Sequence, residues 1–461
     1  MGRDQDKHKR IVRKRVTAII VSVVLLSALL FLLFIGIFAA AAAFKKNSGS
    51  TAASAEKPSA ENEEATVEIT AAGLSVPSEA ETEGTDAAVP EVDIEEQYEE
   101  AVKNDERPAS ALEIEDIIAG MSLEDKVAQL FFVRPEQLTL VDTVTKAGDA
   151  TKAALEKYHV GGIIYFSKNL INPDQTSALL KNTAEFAREN DGIPLFLAID
   201  EEGGSVTRIA SNPEFAIENT DTMEHIGSES DSDKAREAGS HIGKYLKDLG
   251  FNIDFAPVAD VQGGGSPAIG DRSFGKDPAM VSEMAGKYTE GLNSEGIIAC
   301  YKHFPGFGRA SSNTDFEKVI IEVSTEELLN NDLLPYTDAI KSGNEMMIMA
   351  GHSAYPQITG DDTPASMSVM MITDYLRGEL KYNGVVITDA LEAQAIKSRY
   401  DSGEAAVNAL KAGVDMLLVP GDFEGAYNAV LSAVQSGEIG EDRINASVSR
   451  ILTLKSRIEG L

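Results

Sequence analysis

The feature that most constrains this chain is a rhythm of eight short apolar runs, each followed by a stretch with helical character. The runs are QLFFV (129–133), GGIIYF (161–166), PLFLAID (194–200), FNIDFAPV (251–258), IIACYKHF (297–304), MMIMAGH (346–352), GVVITDA (384–390) and DMLLVPGD (415–422). Amphipathic segments lie between them, among them 173–189, 232–249, 278–294, 325–341 and 404–412. Such an alternation implies a parallel sheet. Near-continuous apolar strands fit a sheet covered on both faces. Eight units in this length predict an α/β fold of the (β/α)8 TIM-barrel type, with a doubly wound open sheet as the alternative. One domain is expected over 108–461, closed by a helix over 441–461.

The first hundred residues break the rhythm. Residues 1–15 carry the basic cluster Arg3, Lys7, Lys9, Arg10, Arg13, Lys14 and Arg15, and residues 16–44 are almost wholly apolar. That run exceeds the roughly 20 residues of a bilayer span. We therefore expect a transmembrane signal-anchor helix, the basic tail remaining cytoplasmic and everything beyond it exported. A signal peptide cleaved within the Ala-rich FAAAAAF segment is the alternative. Residues 45–107 are rich in Ala, Glu, Ser, Thr and Pro, and from Asn47 to Arg107 hold 17 acidic against 3 basic residues. Such a segment cannot bury enough surface to fold and reads as a disordered acidic linker.

Over the whole chain 41 Lys and Arg stand against 74 Asp and Glu, a net charge of −33. This excess repels phosphate backbones and disfavours a nucleic-acid partner. Cys300 is the single cysteine, so neither an internal disulfide nor a cysteine-based zinc site can form. GxSxG, GxxxxGK[ST], HExxH and a GxGxxG in register after a first strand are all absent. Acyl transfer, nucleotide phosphate cradles and familiar zinc sites have no support in the sequence. No metal or cofactor is expected.

In a barrel, chemistry collects where the strands end. The apolar runs end in Asp200 with Glu201 and Glu202, Pro257 with Asp260, Lys302 with His303, then His352 and Asp389. Any one acidic residue there could simply cap a helix. Together they form a ring of carboxylates and hydrogen-bond donors suited to a sugar pocket, where one carboxylate attacks the anomeric carbon and an acid protonates the leaving oxygen.

Six ordered segments sharpen this reading: LAIDEEGGSVTRI, GFNIDFAPVADV, IGDRSFGKDPAMV, CYKHFPGFG, MIMAGHSAYP and GVVITDALEAQAI. With MSLEDKVAQLFFV and VGGIIYFSKN as opening elements, they resemble glycoside hydrolase family 3, most closely its β-N-acetylglucosaminidase branch, over residues 115–455. The resemblance implies a retaining glycosidase on a barrel, with Asp389 as nucleophile. It puts the sugar-contacting positions on Asp200, Arg272, Lys302 and His303. A structural ion pair at the barrel mouth is the alternative for Arg272 and Lys302.

Two segments depart from the family pattern. After KHFPG the branch continues HGDTxxDSH, whose last Asp and His are the acid/base dyad; this chain reads PGFGRASSNTDF. Phe307 replaces the first His, Asn313 stands at the dyad Asp, and Asp315 stands at the dyad His. Asp315 is favoured as the acid/base, with a pKa raised by burial and Phe316 as its apolar neighbour. Glu317 acting from a rearranged loop, or a site that binds glycans with little turnover, are the alternatives. The second departure is the Gly-rich stretch VADVQGGGSPAIGDRSF, where the family commonly has an Asn-rich one. It reads as a more flexible rim loop.

The expected protein is a membrane-tethered, extracellular enzyme removing terminal β-linked N-acetylglucosamine, with peptidoglycan fragments as its source. A family 3 enzyme for glucose or xylose and an impaired surface glycan-binding protein are the alternatives. An anionic Asp315 would repel phosphate, so hydrolysis is expected over phosphorolysis.

Overall fold

The computed structural model describes residues 109–458, apart from Gly265, Asn344 and Glu345. The expected basic tail (1–15), spanning helix (16–44) and linker (45–107) lie outside the described residues. Among the described residues no helix is long and apolar enough to cross a membrane.

Each of the eight apolar runs forms a strand: β1 (Phe131–Val133), β2 (Gly162–Ile164), β3 (Phe196–Ile199), β4 (Ile253–Asp254), β5 (Ile298–Phe304), β6 (Met346–Ala350), β7 (Val386–Thr388) and β8 (Leu417–Leu418). All neighbouring pairs are parallel, in the order β7-β6-β5-β4-β3-β2-β1-β8. Sheet closure comes from a parallel bridge between Ile387 and Met416 and from the Thr388 amide donating to the Met416 carbonyl at 3.0 Å. The open doubly wound alternative is thereby set aside. Inside the barrel Phe132 stacks on Phe196 at 6.3 Å and tilts against Phe255 at 5.4 Å. This fills the interior with side chains, as a barrel of eight strands requires.

Crossover helices start and stop where local chemistry dictates. Asn172 caps Pro173–Asp191 by accepting from the Gln175 amide at 2.9 Å, and Gly192 ends that helix in a left-handed conformation. Asp231 and Asp277 cap Ser232–Leu249 and Pro278–Ser294 in the same way. One expected helix is different. The segment 325–341 divides into Thr325–Glu327, a π-helical turn Leu328–Asp332, and Leu334–Ser342. Pro335 brings no amide hydrogen, and just before it the Leu333 amide reaches back five residues to the Leu328 carbonyl at 2.9 Å.

The barrel seam is held by Asp415, which precedes β8 and is fully buried. Its carboxylate accepts from the Val386 amide at 2.9 Å, the Ser447 hydroxyl at 2.6 Å, and the guanidinium groups of Arg377 and Arg450. One side chain thus ties β7 and β8 to the crossover helix Met370–Glu379 and to the terminal helix Glu441–Lys455. Burial pushes this carboxyl up, and Arg377, Arg450 and Arg443 outweigh it, so the net shift is downward. A carboxyl whose pKa is lower folded than unfolded stabilises at neutral pH and loses that contribution as the pH falls. Asp415→Ala leaves half-buried guanidinium groups without their partner and should cost about 3 kcal/mol. Urea denaturation at pH 7 measures this, and a loss below about 1 kcal/mol would show that the seam does not depend on the carboxylate.

Candidate active site

The polar residues at the strand ends meet at the C-terminal mouth of the barrel. Lys302, near the end of β5, is 2% exposed, and its Nζ lies 2.9 Å from Asp200 Oδ1 and 2.6 Å from Glu202 Oε1. Glu202 is equally buried and takes a two-pronged contact from Arg272, Nε to Oε2 and Nη2 to Oε1, both at 2.7 Å. A planar guanidinium matches a carboxylate in this way, and a lysine in its place would not. Burial pushes the Glu202 carboxyl up, but Lys302 and Arg272 together hold it well below the ordinary carboxylate range. Lys302 in turn is raised: burial disfavours its charge, and Asp200 and Glu202 more than compensate. Lys302 and Arg272 are therefore ion-paired, but to a shared carboxylate that leaves them donors to spare. Two of the three Lys302 hydrogens go to Asp200 and Glu202, and Arg272 spends one on the Ala268 carbonyl at 2.8 Å.

Glu201 has a different task. It accepts from the Ile209 and Ala210 amides at 3.0 and 2.9 Å and from the Tyr245 hydroxyl at 2.9 Å. The loop it fixes carries Arg208, whose Nη2 stands 3.9 Å from Asp200 Oδ2.

His303 is oriented by Asp260. The ring Nδ1 lies 2.8 Å from Asp260 Oδ2, and the same carboxylate accepts from the Phe307 amide at 2.6 Å. An ionised carboxylate only accepts, so Nδ1 carries the hydrogen and Nε2 is the nitrogen left for a ligand.

Asp389 follows β7. Its Oδ1 accepts from the Ala390 amide at 2.7 Å, and its own amide donates to the Ala350 carbonyl at 2.8 Å. The Ala390 carbonyl is held at 3.0 Å by Nε2 of His352, whose Nδ1 lies 2.8 Å from the Ser366 hydroxyl. A carbonyl cannot donate, so Nε2 is protonated and Nδ1 can accept from Ser366. Burial pushes the His352 pKa down, and the Asp389 charge and the Ala390 carbonyl oppose that shift. For Asp389 burial works upward, but His352, His303, the Ala390 amide and Lys302 together bring it below its ordinary value. The result is an ionised carboxylate with one oxygen committed to an amide.

Asp315 sits on the loop after β5, and that loop is docked on the segment following Asp389. The Gln394 and Ala395 amides donate to the Asp315 and Thr314 carbonyls at 3.2 and 3.0 Å. Asn313 accepts from the Asp315 amide at 2.9 Å and donates to its carboxylate at 3.2 Å. The Asp315 pKa is raised, first by partial burial and then by the negative charge of Asp389; Asn313, His303 and His352 act against the rise. Phe316 does not supply the apolar wall expected of it, because it is 77% exposed. Asp315 is itself an exposed residue, so the upward push comes from partial shielding of its carboxyl within the site and from Asp389. Glu317 is exposed as well.

The structure thus brings Asp200, Arg272, Lys302, His303, Asp389 and Asp315 to one end of the barrel. It adds Glu202, Asp260 and His352, which the strand-end pattern marked without giving them a task. Glu202 and Asp260 each grip a residue that the motifs had singled out, and His352 holds the carbonyl of Ala390, next to Asp389. Among the described residues, no group of three or more His, Cys, Asp or Glu is arranged to hold a metal ion.

Comparison with known proteins identifies the domain. Residues 122–454 match the Glycosyl hydrolase family 3 N terminal domain. The chain is 32% identical over 330 residues to Beta-hexosaminidase A of Pseudoalteromonas piscicida, covering 66% of this chain and 54% of that protein. It is 33% identical over 360 residues to Beta-hexosaminidase LpqI of Mycobacterium tuberculosis, covering 76% and 86%. A solved glycoside hydrolase family 3 beta-N-acetylglucosaminidase from Paenibacillus sp. aligns with a TM-score of 0.69 and 36% identity, over 73% of this chain and 63% of that one. The chain therefore spans about half of the Pseudoalteromonas protein and under two thirds of the Paenibacillus chain. With the family's domain matched over most of its length and carried on a closed eight-stranded barrel, this chain belongs to glycosyl hydrolase family 3.

Proposed function

We propose that the barrel is a retaining β-N-acetylhexosaminidase that hydrolyses terminal β-linked N-acetylglucosamine through a covalent intermediate on Asp389. The observation that carries this reading is the opposed tuning of two carboxyls in one site: Asp389 is pushed down and Asp315 up. Carboxyls driven apart in this way divide into a nucleophile and an acid. The relatives' names supply the sugar.

In the first step the free oxygen of Asp389 bonds to the anomeric carbon as the glycosidic C–O bond breaks, and the Asp315 proton passes to the leaving oxygen. In the second step Asp315, now a carboxylate, takes a proton from water, whose oxygen displaces Asp389 from the same carbon. Asp200 accepts hydrogen bonds from ring hydroxyls, while Lys302, Arg272 and His303 Nε2 interact with the sugar from fixed positions. We place the enzyme outside the cell, tethered through residues 16–44 with its N-terminus cytoplasmic, and acting on peptidoglycan fragments. The basic cluster before the apolar run supports that orientation.

Turnover of an aryl β-N-acetylglucosaminide, whose leaving group needs little acid help, should be compared with that of an unactivated disaccharide. Asp389→Ala is expected to abolish both. Asp315→Ala is expected to lower kcat/KM on the disaccharide about 10²- to 10⁴-fold and to affect the aryl substrate far less. Binding of N-acetylglucosamine without turnover of either substrate would point to a glycan-binding protein instead. The pH profile of kcat/KM should be bell-shaped. It falls toward acid as Asp389 takes a proton and toward alkali as Asp315 loses one, so the alkaline limb should vanish in Asp315→Ala. In phosphate buffer free sugar should form faster than glycosyl phosphate, since an anionic Asp315 repels the acceptor; the reverse ratio would contradict a carboxylate in that position.

A further inference from the structure

The two segments that depart from the family pattern lie against each other. The Gly263 amide donates to the Gly308 carbonyl at 3.1 Å, joining the rim loop after β4 to the loop after β5. A Cβ on Gly308 would stand 1.9 Å from the Val261 carbonyl oxygen, and one on Gly263 would stand 2.5 Å from Cγ of Arg309. The Arg309 stem thus occupies the space that a side chain at 263 would fill. Its Nε reaches the Asp332 carboxylate at 3.0 and 3.3 Å. Asp332 is 1% exposed and closes the π-helical turn Leu328–Asp332. Within the Gly-rich stretch, expected to loosen the rim, Gly263 is here a bed for an arginine, while Gly264 has open space around it.

The loop from Phe307 to Phe316 is pinned near both ends. Phe307 donates to Asp260 and packs edge-on against His303 at 5.7 Å. Thr314 and Asp315 accept from the Ala395 and Gln394 amides. Between those anchors Arg309 fastens the loop to the body of the barrel.

We propose that Arg309, laid across Gly263 and gripped by Asp332, is a positioning residue that holds the Asp315 loop in register over Asp389. The proposal rests on Asp315 being the acid/base. It assigns the two sequence departures to one device: the proton donor changed together with the bracket that places it. A displacement of about 1 Å in a catalytic group can cost on the order of 10²-fold in rate. The cost should fall on reactions that need the proton.

The test uses the full chain with Arg309→Met, Arg309→Lys, Gly263→Ala and Asp315→Ala, each assayed on the disaccharide and on the aryl glycoside. Burial already pushes Asp332 up to about 6 against the Arg309 charge. Without that charge the carboxyl can take a proton rather than remain a buried anion, so Arg309→Met is compatible with folding. Arg309→Met should lower kcat on the disaccharide by about 10- to 100-fold with KM little changed, and alter aryl turnover by less than about threefold. Arg309→Lys should recover part of the loss. Gly263→Ala, which displaces the arginine stem without removing its charge, should show the same selectivity more weakly. Equal losses on both substrates in Arg309→Met and Gly263→Ala, or no loss on the disaccharide, while Asp315→Ala keeps its selective defect, would overturn the role of Arg309 alone. If Asp315→Ala itself spares the disaccharide, the acid/base assignment falls and this inference with it.

Discussion

Glu202 is the point on which the site depends. A buried carboxylate is costly unless its charge is met, and here two cations meet it from different parts of the chain, Lys302 on β5 and Arg272 on the long loop after β4. Neither cation could be held at low exposure without it. Glu202 itself follows β3, so three successive strand ends are locked by one side chain. Asp200 enters the same network through Lys302, which fixes its carboxylate beside the cation. The pocket floor is thus preorganised before any sugar arrives, and such groups need not reorganise when charge develops.

A similar logic governs the remaining side chains. Asp260 fixes the His303 tautomer, and His352 holds the carbonyl of Ala390, the residue whose amide holds Asp389. His303 and Asp389 are each backed through a residue at a neighbouring strand end. β5, β6 and β7 are consecutive in the sheet, so the end of β7 lies near the loop after β5, and closure onto β8 holds that edge in place. The Asp415 network at the seam, far along the chain from the motif residues of β3 to β5, therefore bears on the site as well.

Much of this could be read in the sequence. The eight apolar runs become the eight strands, and helices such as Pro173–Asp191 and Pro278–Ser294 begin at the Asn or Asp and Pro that mark them. Strand-end punctuation marked the residues that the barrel gathers at one end, because an apolar run that stops at a charge on a barrel stops at its mouth. The partnerships were not legible. That Glu202 serves Lys302 and Arg272, or Asp260 serves His303, follows from contacts between residues 40 to 100 positions apart. The π-helical turn before Pro335 also escaped the periodicity, which assumes uniform helical spacing. Phe316 was misread for a related reason: adjacency to Asp315 in sequence does not decide which side chain is covered. The same holds for the Gly-rich stretch, where composition suggested looseness and packing against Arg309 supplied a reason for the glycine.

The acid/base role proposed for Asp315 raises a question of timing, since the group must release a proton in one step and accept one in the next. The coupling between Asp315 and Asp389 answers it. Partial burial raises the Asp315 pKa, and while Asp389 is an anion its charge adds to that rise. In the proposed intermediate Asp389 has become an ester and carries no charge, so its push on Asp315 disappears. The Asp315 pKa then falls toward that of an ordinary carboxyl, just when a base is needed to take the proton from water. Displacement of Asp389 by water restores the charge and with it the tendency of Asp315 to hold a proton. The nucleophile thereby resets its own acid/base partner, and the coupling requires that the Asp315 loop stay close to Asp389 throughout the cycle. A loop left free to swing would lose that Coulomb link as well as its aim, and for this reason the fastening of the loop matters more for a carboxyl in this position than its exposed surface suggests.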